Sequence, residues 1–69
     1  MTIGKKIRFR RELLGYSQQE LADKAHIGRS YISELENDKY QPTAPVIVGL
    51  AKVLKCSTDY LICFEKENV

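Results

Sequence analysis

A chain of 69 residues is the size of one small domain, which buries only about 60% of the surface its unfolded form exposes; that leaves little core for a catalytic cavity, and no enzyme is expected. With 43% hydrophobic and 29% charged residues, the body of the chain is not disordered. The formal net charge of +2 is too small to indicate a polyanionic partner by itself.

Residues 2–14 read as the first helix, with Ile3, Ile7, Arg11 and Leu14 on one face. Gly15 follows as a residue able to take positive φ where that helix stops. Within residues 1–11 lie Lys5, Lys6, Arg8, Arg10 and Arg11 and no acid, whereas the remaining 58 residues carry six bases against nine acids. A basic first helix on a nearly neutral body suits a polyanion at one end. A merely solvated helix face would look the same.

Ser17-Gln18-Gln19-Glu20 has the form S-x-x-E, a capping box in which each end satisfies an amide of the other. Tyr16 and Leu21 take the flanking staple positions, and a second helix follows over 18–25 with Leu21, Ala22 and Ala25 inward. Its two alanines let another helix approach closely. After His26-Ile27-Gly28 comes a third helix ending near Asn37, with Gly28 as its N-cap.

Turning about 100° per residue along this third helix separates two unlike sides. Tyr31, Ile32 and Leu35 form an apolar stripe. Opposite them stand Arg29, Ser30, Ser33 and Asn37, with Glu34 at the margin. A solvent face usually carries Lys and Glu at i,i+4 spacing. Short hydroxyls, an amide and a planar guanidinium suit recognition better than solubility.

Residues 38–42 form a polar connection, and Thr43 can cap a fourth helix with Pro45 in its first turn. Val46, Ile47, Leu50, Val53 and Leu54 give that helix a broad apolar face. Lys55-Cys56 interrupts it, and Ser57 caps a short fifth helix through Tyr60 and Leu61. Residues 1–64 are read as one domain and the charged residues 65–69 as a frayed tail.

Cys56 and Cys63 are seven apart and the only histidine is His26. That is neither a zinc spacing nor a disulfide framework, so the thiols are expected to be free, with no metal and no cofactor. No stretch approaches the roughly 18–20 apolar residues of a membrane span. Nor does a signal-peptide core follow the basic start. The expected setting is the cytoplasm, with no membrane contact.

Two short helices joined by three residues are a common corner of helical proteins. Here SQQELADKAHIGRSYISELENDK (residues 17–39) resembles, almost position by position, the phage repressor/Cro-type helix-turn-helix family, also called the XRE family. The resemblance runs from about Ile3 to Leu61 and takes in QPTAPVIVGLAKVLKCSTDYL as the fourth and fifth helices. It implies an all-α, compact, lambda-repressor-like five-helix bundle whose helices 2 and 3 form the helix-turn-helix. The implied function is sequence-specific binding of double-stranded DNA by a transcriptional regulator, a repressor.

The resemblance also implies roles for individual residues. Arg29, Ser30, Ser33 and Glu34 become base readers in the major groove. Gln18, at the positive N-terminus of helix 2, together with Asn37, Lys39 and Gln41, becomes a phosphate contact. Arg11 and Glu36 match a structural ion pair between helices 1 and 3. Arg29 fits guanine O6 and N7 but equally a phosphate. Glu34 can accept from cytosine N4, or instead orient Arg29 and exclude wrong bases. The family often has glycine where this chain has His26, Asp38 and Lys55, so those turns are expected to be left-handed at some cost. His26 reads as a turn residue, with a pH sensor as the alternative.

Family members usually dimerise on two half-sites about 34 Å apart, which implies a homodimer on a two-fold symmetric operator. Tyr60-Leu61-Ile62-Cys63-Phe64 supports this, because five consecutive apolar residues cannot all face one core. Ile62, Cys63 and Phe64 are the candidate dimer surface, unless the chain turns after Leu61 and returns Phe64 to the core. The competing reading is a protein-interaction module or antitoxin using the same fold, and a protein antagonist is a further possible partner.

Overall fold

Of the five helices described, three begin at a side chain that accepts from an early amide and one at a proline that fixes its first turn. The third in chain order starts at Gly28 without a side-chain cap. In the computed structural model, which describes residues 1–62, these starts give α1 (Ile3–Leu13), α2 (Gln18–Ala25), α3 (Arg29–Glu36), α4 (Ala44–Leu54) and α5 (Thr58–Ile62). The described residues are all-α, with no strand. Thr2 Oγ1 accepts from Lys5 N at 3.2 Å to start α1. Both bonds of the capping box open α2, Glu20 N to Ser17 Oγ at 3.0 Å and Ser17 N to Glu20 Oε1 at 2.7 Å. Ser57 Oγ accepts from Tyr60 N at 3.0 Å ahead of α5. Thr43 is the N-cap of α4, but its side chain makes no capping bond. Proline in the first turn fixes φ there instead.

The first four helices stop in the same way, with crossed bonds from the two residues that follow the last turn. Tyr16 N reaches Arg11 O and Gly15 N reaches Glu12 O; the corresponding outer bonds are Ile27 N to Ala22 O, Lys39 N to Glu34 O and Cys56 N to Ala51 O. This turn needs one left-handed residue. Gly15 takes it at φ 79, and His26, Asp38 and Lys55 take it at φ 60, 59 and 58. Three of the four therefore hold a side chain where glycine would sit without strain.

The core draws on every helix: Ile7 from α1, Leu21 and Ala22 from α2, Ile32 and Leu35 from α3, Leu50, Ala51 and Leu54 from α4, and Leu61 from α5. α2 packs on both α3 and α4, and Ala22 and Ala51 are small enough for the close approach. Cys56, a free and half-buried thiol, borders this core. Burial raises its pKa above the ordinary thiol value, Arg10 pulling the other way.

The N-terminus of α1 meets the C-terminal end of α3 at unusually short range. Asp38 accepts from Thr2 Oγ1 at 2.8 Å and from Gly4 N at 3.2 Å, placing a carboxylate at the positive end of α1. Gly4 is required here: a Cβ would overlap the Leu35 carbonyl oxygen and crowd the Asp38 carboxylate.

The basic first helix turns out to be largely structural. Lys6 is buried, donating to Tyr60 O at 3.0 Å with its ammonium 5.3 Å from the Tyr60 ring centroid. Arg10 donates to Leu54 O at 2.9 Å and Lys55 O at 3.0 Å, satisfying the carbonyl end of α4. Arg11 faces α3, and Arg8 pairs with Glu12 at 3.1 Å on the surface. The local excess of positive charge is thus partly matched inside the fold. No helix of the described residues is long and apolar enough to cross a membrane.

Candidate nucleic-acid interface

α3 is held by its apolar stripe and its last turn. Ile32 and Leu35 are fully buried, and Tyr31 packs against the core from the side. The opposite side faces outward: Arg29 and Ser30 are exposed, Ser33 and Glu34 half-buried, and Asn37 exposed. Among the described residues, the side chains of Arg29, Ser30, Ser33 and Glu34 have no hydrogen-bond or ion-pair partner. A guanidinium, two hydroxyls and a carboxylate are therefore all available to a ligand from one helix face.

The last turn of α3 is the reverse. Glu36, with only 3% of its side chain exposed, receives Arg11 Nε at 2.6 Å and Arg11 Nη2 at 3.1 Å. Arg11 also donates to Tyr16 O at 2.9 Å, across the α1–α2 turn. A third donor reaches the same carboxylate, Gln18 Nε2 to Glu36 Oε1 at 3.1 Å. The bidentate geometry satisfies both partners. The hydrogen bond to Glu36 raises the Arg11 pKa, against desolvation by burial, which acts to lower it. One side-chain cluster thus sets α1, the start of α2 and the end of α3 relative to each other.

The rim around the outer face is mixed. Gln18 Nε2 donates one of its two amide hydrogens to Glu36, and the Gln18 backbone amide stands at the α2 N-terminus, where it can meet an anion. Asn37 Nδ2 donates to Ser33 O at 2.9 Å, so one of its two amide hydrogens is occupied by the helix end. Lys39 is exposed, with its ammonium 6.0 Å from the Tyr40 ring centroid, and Gln41 is exposed on the connection to α4. Gln18 and Lys39 lie at the start of α2 and just past the end of α3, so the rim brackets the helix pair. No group of His, Cys, Asp and Glu among the described residues could hold a metal ion.

A helix-turn-helix family model matches residues 7–61. The chain belongs to this helix-turn-helix family. The helix-turn-helix transcriptional regulator ImmR of Bacillus subtilis is 36% identical over 62 residues, which cover 90% of this chain and 49% of that protein. The structure matches the c2 repressor of Salmonella phage P22 in complex with a synthetic operator, with a TM-score of 0.88 and 31% identity over 94% of this chain and 98% of that one. It also matches SinR of Bacillus subtilis, a master regulator for biofilm formation, in complex with DNA, with a TM-score of 0.83 and 34% identity over 87% of this chain and 97% of that one. The chain spans about half the length of the curated relatives it matches, 49%, 56% and 50% of three of them.

Within this helix-turn-helix domain, several residues that shape the interface gave no local signal. Gly4 and the Asp38 carboxylate fix where the end of α3 sits, yet their contacts span 34 residues of chain. The Gln18 amide joins the Arg11–Glu36 pair from 18 residues away. A helical wheel assigns a side, not a partner. Of the candidate dimer residues, Ile62 is 46% exposed; Cys63 and Phe64, like the tail at 65–69, lie outside the described residues.

Proposed function

We propose that this chain is a sequence-specific, double-stranded-DNA-binding transcriptional regulator of the cytoplasm, acting as a repressor, with residues 1–64 as the recognition unit. The observation that carries the reading is the outer face of α3, where the side chains of Arg29, Ser30, Ser33 and Glu34 have no hydrogen-bond or ion-pair partner among the described residues. Placed in a major groove, Arg29 offers a donor fork for guanine O6 and N7. Ser30 and Ser33 are short enough to let the helix backbone sit deep and to bond base edges directly or through water. Glu34 accepts from cytosine N4 or excludes bases that present an acceptor. Around them, the Gln18 backbone amide, Asn37, Lys39 and Gln41 supply phosphate contacts that set register.

One such helix reads only a few base pairs, and two copies on a two-fold symmetric operator supply the rest. Ile62, Cys63 and Phe64 belong to that homodimer contact. A protein antagonist that covers the α3 face would act by competition for it. A protein-interaction module would carry large apolar side chains at the centre of its face; serines at 30 and 33 favour DNA.

Selection of bound sequences from a random duplex pool tests the reading, with enrichment of a motif of two-fold symmetry as the expected result. Binding to the selected site should weaken with salt, log K falling by about 0.9 per phosphate neutralised for each unit of log salt. Lys39→Ala should weaken all duplexes alike and reduce that slope by about 1. An unenriched pool, or binding indifferent to salt, would overturn the proposal.

A further inference from the structure

Asp38 is an acid beside a proposed phosphate contact, in a backbone conformation that resists a side chain. It precedes Lys39 and takes φ 59, the left-handed value that glycine reaches without strain. Its backbone belongs to the end of α3: Asp38 N donates to Leu35 O at 3.1 Å, and Lys39 N donates to Glu34 O at 2.9 Å. Glycine at 38 would close the same turn at no steric cost and bring no negative charge to the phosphate rim. Whatever the Asp38 side chain contributes, it contributes through its own contacts.

Both carboxylate oxygens reach the N-terminus of α1. Oδ2 accepts from Thr2 Oγ1 at 2.8 Å and Oδ1 from Gly4 N at 3.2 Å, across 36 and 34 residues of chain. The Thr2 hydroxyl is bonded on both sides, since it also accepts from Lys5 N at 3.2 Å. The first turn of α1 contains no acid of its own, and its positive end favours a carboxylate. Gly4 makes the approach possible, because a Cβ there would meet Leu35 O and Asp38 Oδ1.

We infer that Asp38 is a positioning residue for DNA binding. By gripping the start of α1 it holds the 37–39 turn, and with it Lys39, in place at the phosphate rim. The same grip turns its own charge away from the polyanion, which a loose acid at this point would repel. The inference rests on the DNA reading above and adds to it a residue that touches no DNA, together with Thr2 and Gly4, remote in sequence from α2 and α3. Two links then fix the end of α3 against α1: Arg11–Glu36 holds the last turn of the helix, and Asp38 holds the residues after it. The Lys39 side chain is exposed, its ammonium 6.0 Å from the Tyr40 ring centroid, the outer limit of a cation–π contact. Where its backbone stands therefore sets what it can reach.

Breaking the link from either end of the whole chain tests this. Asp38→Gly removes the carboxylate and the strain together, whereas Thr2→Val removes the hydroxyl and leaves the charge in place. Each should weaken binding to the selected duplex by about tenfold, the loss expected when a charged hydrogen bond to phosphate is misplaced. Thr2→Ser keeps the hydroxyl and should recover the affinity to within about twofold. In both disrupted variants the slope of log K against log salt should shrink by about 1, and adding Lys39→Ala should shrink it no further. A link that only stabilised the fold would leave that slope unchanged well below the thermal midpoint. Without DNA, amide exchange at Lys39, whose N–H is bonded to Glu34 O, should quicken in Asp38→Gly and Thr2→Val but not in Thr2→Ser.

The inference is overturned if Asp38→Gly binds as tightly as the natural chain or more tightly, the result expected of an acid that merely repels phosphate. It is also overturned if both disrupted variants keep the natural salt slope, or if Thr2→Ser behaves like Thr2→Val. Should Thr2→Val lose its fold along with the α1 cap, Asp38→Gly, which leaves that cap intact, decides alone. Failure of the natural chain to bind any selected duplex overturns the DNA reading, and this inference with it, before a variant is compared.

Discussion

Arg29 at the start of α3 and Glu36 at its end are both ionised groups on one short helix, yet their surroundings are opposite. Arg29 is exposed and without a partner among the described residues. Glu36 is buried and receives three hydrogen bonds from Arg11 and Gln18. Beyond it, Asp38 clamps the N-terminus of α1 and Asn37 caps the helix end. The helix is anchored through its last turn and offers its first turn outward. A recognition helix needs both, because a donor fork reads a base only when the scaffold holds it in place.

That contrast can be broken most severely at the anchored end. Glu36→Ala leaves Arg11 buried at 11% side-chain exposure without its carboxylate, and removal of one member of a buried pair costs about 3–5 kcal/mol. In a domain this small, urea denaturation should show most of the stability gone. The raised Arg11 pKa gives the pH sign: the pair's contribution is fully present below the ordinary arginine range and is lost only as pH rises past the still higher folded value. No loss from this arginine should therefore appear in a neutral-to-mildly-alkaline denaturation series.

Gly4→Ala attacks the same end through sterics alone. The added methyl meets the Leu35 carbonyl and Asp38, and forced overpacking of this kind costs about 1–3 kcal/mol. A thermal melt should fall accordingly; an unchanged midpoint would mean that α1 can shift away from α3 freely.

Arg29→Ala sharpens the contrast from the other end. It should change stability by less than about 0.5 kcal/mol, since the side chain is exposed and has no hydrogen-bond or ion-pair partner among the described residues. Discrimination at one base pair of the selected site should fall by about 1–3 kcal/mol, measured by competition between duplexes. Equal weakening on all duplexes would reassign Arg29 to a phosphate.

The smallest effects concern the left-handed turns. Lys55→Gly and His26→Gly relieve a side chain at φ 58 and 60, and should stabilise by roughly 0.5–1 kcal/mol once the greater freedom of unfolded glycine is subtracted. For a domain of this length that is a rise of several degrees in the thermal midpoint. Asp38→Gly should not follow them, because it also deletes the bonds to Thr2 and Gly4.

Much of this architecture was legible in residue order. The S-x-x-E box fixed the start of α2, and the bounds expected for that helix, 18–25, coincide with those in the structure. The periodicity of α3 separated its buried stripe from its outer face because a helical wheel depends only on neighbours within two turns. Likeness to the repressor family located the three left-handed turns at His26, Asp38 and Lys55, where the structure has them. The charge of α1 was not legible in the same way. Lys6 and Arg10 end 54 and 44 residues away along the chain, on carbonyl groups at Tyr60 and Leu54. A count of bases cannot distinguish a charge held inside the fold from one offered to a polyanion.

What residue order determined, then, is local: where helices begin and end, which side of each is apolar, and which turn must be left-handed. These follow from caps, periodicity and φ preferences that act over a few residues. Only the packed arrangement decided that Gly4 must lack a side chain, that Gln18 completes the Arg11–Glu36 pair, and that Phe9 and Leu13 remain uncovered on α1. Each of those depends on which distant backbone comes within a few ångströms, and that is set by how the helices pack on one another.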